Sequence, residues 1–266
     1  MDEQRKSPDF IETLARGLDV IRTFDAAHRQ LTLSEVAARC GLPRPTVRRN
    51  LVTLEELGYV DQLDGRFFLT PKVVSLGMAA IASSGLWEMA YPHLRRLVGR
   101  TNESSSMAQL DGVDIVYVAR VAVPKIISLR VDIGTKFPAP ITSQGKVLLA
   151  DLSPDELEEV LSIESRCEVV GWEREKTPFI KEELSLVRSR GWALANEELA
   201  PGVRSIAVPV RDLRGRVRAA MNVTVNAAET SISTLIDEYL PHLLKAASDV
   251  SADWVAWQSR PIAQVD

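Results

Sequence analysis

The chain has 266 residues, with 32 Lys and Arg against 36 Asp and Glu, 45% hydrophobic and 26% charged. That length suits two domains, each large enough to bury a core, and the composition excludes a collagen-like, low-complexity or disordered chain. The charged start Met1 to Lys6 leads into no apolar run of signal-peptide length, and nothing approaches a membrane span, so a cytoplasmic protein without a membrane partner is expected.

The apolar residues Phe10, Leu14, Leu18, Ile21 and Phe24 recur at three and four, which predicts a first helix over 10–24. After a polar break at 25–30, Leu33 to Cys40 reads as a second helix stopped by Gly41. Leu42-Pro43-Arg44-Pro45-Thr46 opens a third, with Val47, Leu51, Leu54 and Leu57 inward and Gly58 as its stop. Two short strand-like runs, Tyr59 to Leu63 and Arg66 to Thr70, flank Asp64-Gly65, a pair favoured in two-residue hairpin turns. Helix, glycine turn, helix and hairpin make a winged helix-turn-helix.

Charge distribution supports a nucleic-acid role for this part. Residues 1–72 carry 11 basic and 11 acidic side chains, yet Arg39 to Leu54 holds Arg39, Arg44, Arg48 and Arg49 and no acid. Arg44, Thr46, Arg48, Arg49 and Asn50, on the opening turns of the recognition-helix candidate, are expected to meet phosphates and base edges of double-stranded DNA. Arg66 in the wing would reach the backbone or minor groove. The competing reading is a small helical bundle with a solvated arginine face. One helix reads few base pairs, so a homodimer on a pseudo-palindromic operator is expected.

Pro71 marks a change of character, giving a winged helix-turn-helix over 1–72, a linker helix over 73–85 and a second domain over 86–266. A helix from Leu86 to Arg100 carries Pro92, expected to kink it or mark its start. Ser106 to Leu110 and Ile115 to Val121 flank Asp111-Gly112 as a hairpin, and Lys125 to Ile133 reads as a third strand. Ser153-Pro154-Asp155-Glu156 opens a helix through Leu161, and Glu182 to Gly191 is another. Trp192 to Asn196, Ser205 to Arg211 and Val217 to Val225 follow as strands, and a long amphipathic helix closes the chain. The second domain is α+β around a mostly antiparallel sheet.

Within it, the loop Phe137-Pro138-Ala139-Pro140-Ile141-Thr142 runs into a helix start at Ser143-Gln144-Gly145. Unpaired backbone N–H groups there could receive an anion such as a carboxylate, although Thr142 or Ser143 could equally be a plain N-cap. In Ala219 to Val225, Met221, Val223 and Val225 share one face and Asn222 and Thr224 the other, a pocket lining if that face turns inward. No nucleophile elbow, dinucleotide loop or P-loop occurs. Two cysteines, Cys40 and Cys167, and the scattered His28, His93 and His242 suggest reduced thiols, with no metal and no other cofactor.

Several ordered segments resemble the isocitrate lyase regulator (IclR) family of bacterial transcription factors. They are Thr13 to Ile21, Leu33 to Ala37, Pro45 to Arg49, Asp111-Gly112, Thr142 to Ala150, Gly191-Trp192-Ala193, Gly202 to Ala207 and Gly215-Arg216-Val217. Phe137-Pro138-Ala139, Thr142-Ser143, Asp114 to Val121 and Arg204 to Val210 are most similar to the branch regulating protocatechuate, 4-hydroxybenzoate and β-ketoadipate pathways. The resemblance implies a GAF-like effector-binding and oligomerisation domain behind the linker helix, in dimers that often pair into tetramers. It also implies a pocket with Ile126 and Phe137 as apolar walls, Ser143 and Gln144 at the helix start, and Ala195, Ser205, Asn222 and Thr224 around them. Ala195 stands where some members have Asp, which argues for a larger carboxylate-bearing ligand than their small hydrophilic acids. The function expected is a regulator whose operator binding responds to a small carboxylate effector, an aromatic acid or a β-ketoadipate-type metabolite. The alternative is an enzyme acting on a small organic acid, disfavoured by the missing catalytic constellation.

Overall fold

A computed structural model of the chain describes residues 7–25, 27–77, 85–125, 131–165, 167 and 177–259. By internal contacts the chain divides into two units, Met1–Ser83 and Ser84–Asp266.

The first unit contains α1 (Glu12–Arg22), β1 (Leu31–Thr32), α2 (Leu33–Cys40), α3 (Arg44–Glu56), β2 (Val60–Leu63) and β3 (Arg66–Leu69). A capping box fixes the start of α2: Thr32 accepts from the Glu35 N–H while the Glu35 carboxylate accepts from the Thr32 N–H. Gly41, at φ +65°, turns the chain out of α2. Both central residues of the β2–β3 hairpin, Asp64 (φ 50°) and Gly65 (φ 76°), are left-handed, as a primed turn requires. Val20, Val36, Val47, Leu51, Leu54, Val60 and Phe67 form the core.

Three details differ from the sequence reading. The end of the supposed polar break becomes β1, an edge strand pairing Leu31 with Phe67. On α1 the core is met by Val20, while Leu14 and Leu18, expected inward, are 62% and 45% exposed. Leu57 follows the last residue of α3 as its C-cap and is 52% exposed, because the helix ends before its side chain can turn inward. Of the expected linker helix, residues 72–77 are helical and 78–84 lie outside the described residues.

The second unit contains α4 (Leu86–Thr101), β4 (Ser104–Asp111), β5 (Asp114–Val121), β6 (Lys136–Pro138), a 3-10 turn (Ala139–Ile141), α5 (Ser143–Ala150), α6 (Pro154–Ser162), α7 (Thr177–Arg190), β7 (Ala193–Asn196), β8 (Val203–Arg211) and β9 (Val217–Asn226). A helical turn (Ile232–Thr234) and a π-helical stretch (Leu235–Tyr239) lead into α8 (Leu240–Gln258). Pro92 lies inside α4, so it does not mark that helix's start. Of the strand expected over 125–133, residues 126–130 lie outside the described residues and the flanking ones are not strand.

The six strands form one antiparallel sheet in the order β6-β5-β4-β9-β8-β7. One face presents Met107, Met221, Val223, Ile206 and Val208, all fully buried, on the side that α4 and α8 cover. The opposite face presents Ala108, Ala220, Ala207 and Ala193, small side chains over which α5 lies close. Every residue of α5 is buried. Gly145 lies directly against a neighbouring backbone: a Cβ there would stand 2.1 Å from the Ala139 carbonyl oxygen. No helix among the described residues is long and apolar enough to cross a membrane.

Candidate functional site

In the first unit, α3 presents Arg44, Arg48 and Arg49 to solvent, with Thr46 half-buried beside them. Arg44 is held to the Ser34 hydroxyl of α2. Asn50 departs from the expected reading face. It falls in the i, i+3, i+4, i+7 row Val47, Asn50, Leu51, Leu54, is 9% exposed and packs against Gly17 of α1, so it turns away from any helix groove. Arg66 on the wing is half-exposed, beside the Glu35 carboxylate at 3.5 Å. Arg39 leaves the expected basic patch: its guanidinium donates to Asp25 at 2.9 Å and to the Thr23 carbonyl at 3.1 Å. The hydrogen bonds from Thr32 hold Glu35 below its usual range, so it stays anionic beside Arg66.

In the second unit a pocket of roughly 500 Å³, its open mouth included, lies between α5 and the sheet. Ser143, Gln144, Ala195, Ser205, Asn222 and Thr224 all line it. The register explains the grouping. Ser106 pairs with Arg120 and Asn222, Thr224 with Ser205, and Ser205 with Ala195, which puts these side chains on the face under α5. Thr142 caps α5 by accepting from the Gly145 N–H at 3.0 Å, so that donor is taken. The Ser143 and Gln144 N–H groups have no hydrogen-bond partner among the described residues.

Side-chain bonds stiffen the walls. Ser143 and Ser205 hydroxyls pair at 2.7 Å, and Asn222 accepts from the Ser106 N–H at 3.0 Å while donating to Thr224 at 3.0 Å. Gln144 donates to the Ala220 and Ser106 carbonyls at 2.9 and 3.2 Å, which fixes its amide. Its Oε1 is buried with no donor. Behind the wall, Lys146 is wholly buried and donates to Glu183 at 2.8 Å, Glu198 at 2.7 Å and the Leu194 carbonyl at 3.3 Å. Glu198 fastens the segment carrying Leu199, a pocket residue, to α5.

One expected residue stands elsewhere and one is not described. Phe137 is 1% exposed and sits behind Tyr117, edge to face with centroids 5.9 Å apart, rather than at the pocket surface. Ile126 lies outside the described residues.

Thr142 also lines the pocket, and Tyr117, Arg120, Val131, Leu199 and Val203, which were not expected, complete the described lining. Burial pushes the Tyr117 phenol up to about 12, so it stays protonated. Arg120 is half-buried, and its one hydrogen bond among the described residues goes to the Ser106 hydroxyl at 3.0 Å. Burial lowers its pKa, the nearby Asp132 carboxylate opposes that shift, and it remains a cation. It is the one formally charged side chain among the described lining residues. The signal that could have found it is hidden by a bulge. Tyr117 pairs with Ala108 and Ala119 with Met107, so Val118 has no partner, and residues 117 and 120 come to share a face that strict alternation would deny them.

An arginine-faced helix with a wing in one unit and a polar pocket with one charged residue among its described lining in the other match one family along the chain. The IclR helix-turn-helix domain model covers residues 13–64, and the bacterial transcriptional regulator IclR C-terminal model covers residues 78–252. The chain belongs to the IclR family of transcriptional regulators. Among IclR-family relatives, a Pca regulon regulatory protein of Pseudomonas putida is 40% identical over 91% of this chain and 84% of its own length. A p-hydroxybenzoate hydroxylase transcriptional activator of Acinetobacter baylyi is 33% identical over 93% of each. A solved structure of a transcriptional regulator from Rhodococcus sp. RHA1 is similar at 42% identity and TM-score 0.74, covering 93% of this chain and 100% of that one. As an IclR-type regulator the protein binds DNA and acts in transcription.

Proposed function

We propose that this regulator binds a pseudo-palindromic operator as a homodimer and that a small carboxylate in the α5 pocket sets its affinity for that operator. The effector class is an aromatic acid or a β-ketoadipate-type metabolite. The observation that carries the reading is the pocket itself: among its described lining residues one cation and no acid, beside two N–H groups at the start of α5 that no described residue pairs. The names of the two relatives above support the pathway class. Arg44, Thr46, Arg48 and Arg49 are the DNA-contacting residues in this reading, and Arg66 joins them from the wing. Ser143, Gln144, Ser205, Asn222, Thr224 and Ala195 surround the effector, with Arg120 added.

The effector acts only through its differential affinity for two states of the protein, and the linker helix beginning at residues 72–77 is where those states would differ. A homotetramer, formed from two such dimers, is the further assembly. Among the described lining residues no base is paired to a nucleophile, which favours ligand binding over turnover.

DNase footprinting on DNA upstream of the protein's own and adjacent genes tests the reading. A protected, inverted half-site pair whose protection changes with protocatechuate, 4-hydroxybenzoate or adipate is expected. Protection that no acid alters, or consumption of an acid by catalytic amounts of protein, would count against it.

A further inference from the structure

On the side of the sheet that α4 and α8 cover, opposite the α5 pocket, we propose a second ligand site: the cleft between those two helices binds a small phosphate-bearing anion. The site is independent of the effector pocket, and either can fail without the other.

The cleft encloses roughly 480 Å³, its open mouth included, and is lined on α4 by His93, Arg96 and Arg100 and on α8 by His242, Lys245 and Asp249. Helical spacing builds it, since 93, 96 and 100 share one face of α4, and 242, 245 and 249 share one face of α8. Axes of packed helices lie about 8–10 Å apart, so side chains from both can meet on one small anion.

Three of these side chains are permanent cations and one is an acid. Asp249 is already engaged: its two oxygens accept from Lys245 at 3.1 and 3.0 Å, and that bond, with the charge of Arg96 nearby, holds its carboxyl below the usual range. Two positive charges stay in excess, which suits a dianion.

The arginines carry the argument. Arg96 donates to His93 Nδ1 at 2.7 Å, which makes that nitrogen an acceptor and Nε2 the donor to Asp253 at 2.7 Å. Arg100 leans on His242 Nδ1 at 3.5 Å. Neither guanidinium has another hydrogen bond, or a carboxylate at ion-pair distance, among the described residues. An imidazole lone pair orients an arginine without neutralising it, and like charges at i, i+4 destabilise a helix. A surface arranged for stability alone would set a carboxylate between Arg96 and Arg100, yet both face an open cleft. A phosphate supplies the missing charge, with oxygens enough for both planar forks and the Lys245 ammonium. A monocarboxylate would leave one charge unmatched and offer two oxygens to three cations.

The chain has three histidines, two at this cleft and His28 in the first unit, so imidazole NMR signals report the site against an internal reference. The full chain is titrated with sodium phosphate and with glycerol 3-phosphate at fixed pH, ionic strength being held constant with sodium chloride. The His93 and His242 signals are expected to move together and to saturate with a midpoint of about 1 mM or below, while His28 stays still. Arg96→Met and Arg100→Met, both at exposed positions and checked by thermal unfolding, are each expected to weaken binding about tenfold, and Arg96→Lys by less than Arg96→Met. Equal midpoints for the two anions would assign free phosphate, and a tighter glycerol 3-phosphate a phosphate monoester. Shifts that never saturate, all three histidines moving in parallel, or a folded Arg96→Met, Arg100→Met double variant that binds as the parent does would overturn the site.

Discussion

Lys146 carries a positive charge with no exposed surface, and its partners Glu183 and Glu198 keep about a third of their side-chain surface in water. Which member is removed therefore decides the cost. Replacing both acids by Gln strands a buried cation, and the second unit is expected to lose about 3–5 kcal/mol. Lys146→Met removes the buried charge itself, fills most of its volume and leaves two carboxylates that solvent can reach, so it is expected to cost less. Denaturant unfolding of the two variants checks the order, and the reverse order would contradict it. Asn50 shows what residue type alone conceals. An Asn beside two arginines on a recognition helix reads as a base contact, but helical phase places it with Val47 and Leu54. Arg48→Ala or Arg49→Ala is expected to lower DNA affinity and the salt dependence of binding by about one phosphate contact, while Asn50→Ala leaves that slope unchanged.

At the scale of elements, local chemistry was legible wherever one residue type answers one backbone demand. Gly41 closes α2, Asp64-Gly65 makes the first hairpin, and Ser153 with Glu156 caps α6, while the second hairpin turns one residue later than read, on Gly112-Val113, with Asp111 still paired to Asp114. Asn222 and Thr224 were correctly set on the face opposite Met221, and the pairing partners show why that face is the pocket. Arg120 was not legible because the bulge at Val118 breaks the two-residue period, and Phe137 was misplaced because a motif does not record which side of Tyr117 it packs on. Gly145 permits the approach of α5 to the 3-10 turn, so Gly145→Ala forces backbone apart. A loss of at least about 1–3 kcal/mol, with weaker acid binding, is expected in thermal unfolding and titration.

The β8–β9 turn carries a pH signature. Burial alone would raise Asp212, but hydrogen bonds from Arg218 and from the Arg216 and Arg214 N–H groups hold it below its ordinary 3.8. A carboxylate depressed in the folded state stabilises above its unfolded pKa, and that contribution disappears as pH falls through the folded value. Asp212→Asn is therefore expected to unfold at a lower temperature than the parent at pH 7, the gap closing as the pH drops below about 3.8. A gap that widens on acidification would contradict this.

At the scale of the whole molecule, two units differ in chemistry: exposed arginines on α3 in one, a pocket with one charged residue among its described lining in the other. Composition, which is near neutral overall, hid both, because the first depends on the acid-free run from Arg39 to Leu54 and the second on one half-buried arginine. The most direct test of the account is fluorescence anisotropy of the full chain on DNA from upstream of its own gene, across a salt series, with and without 4-hydroxybenzoate, protocatechuate or adipate. The account predicts affinity that falls linearly with the logarithm of salt and that one of the acids shifts in the parent but not in Arg120→Met. Salt-sensitive binding that none of the acids alters, or a shift that persists unchanged in Arg120→Met, would contradict it.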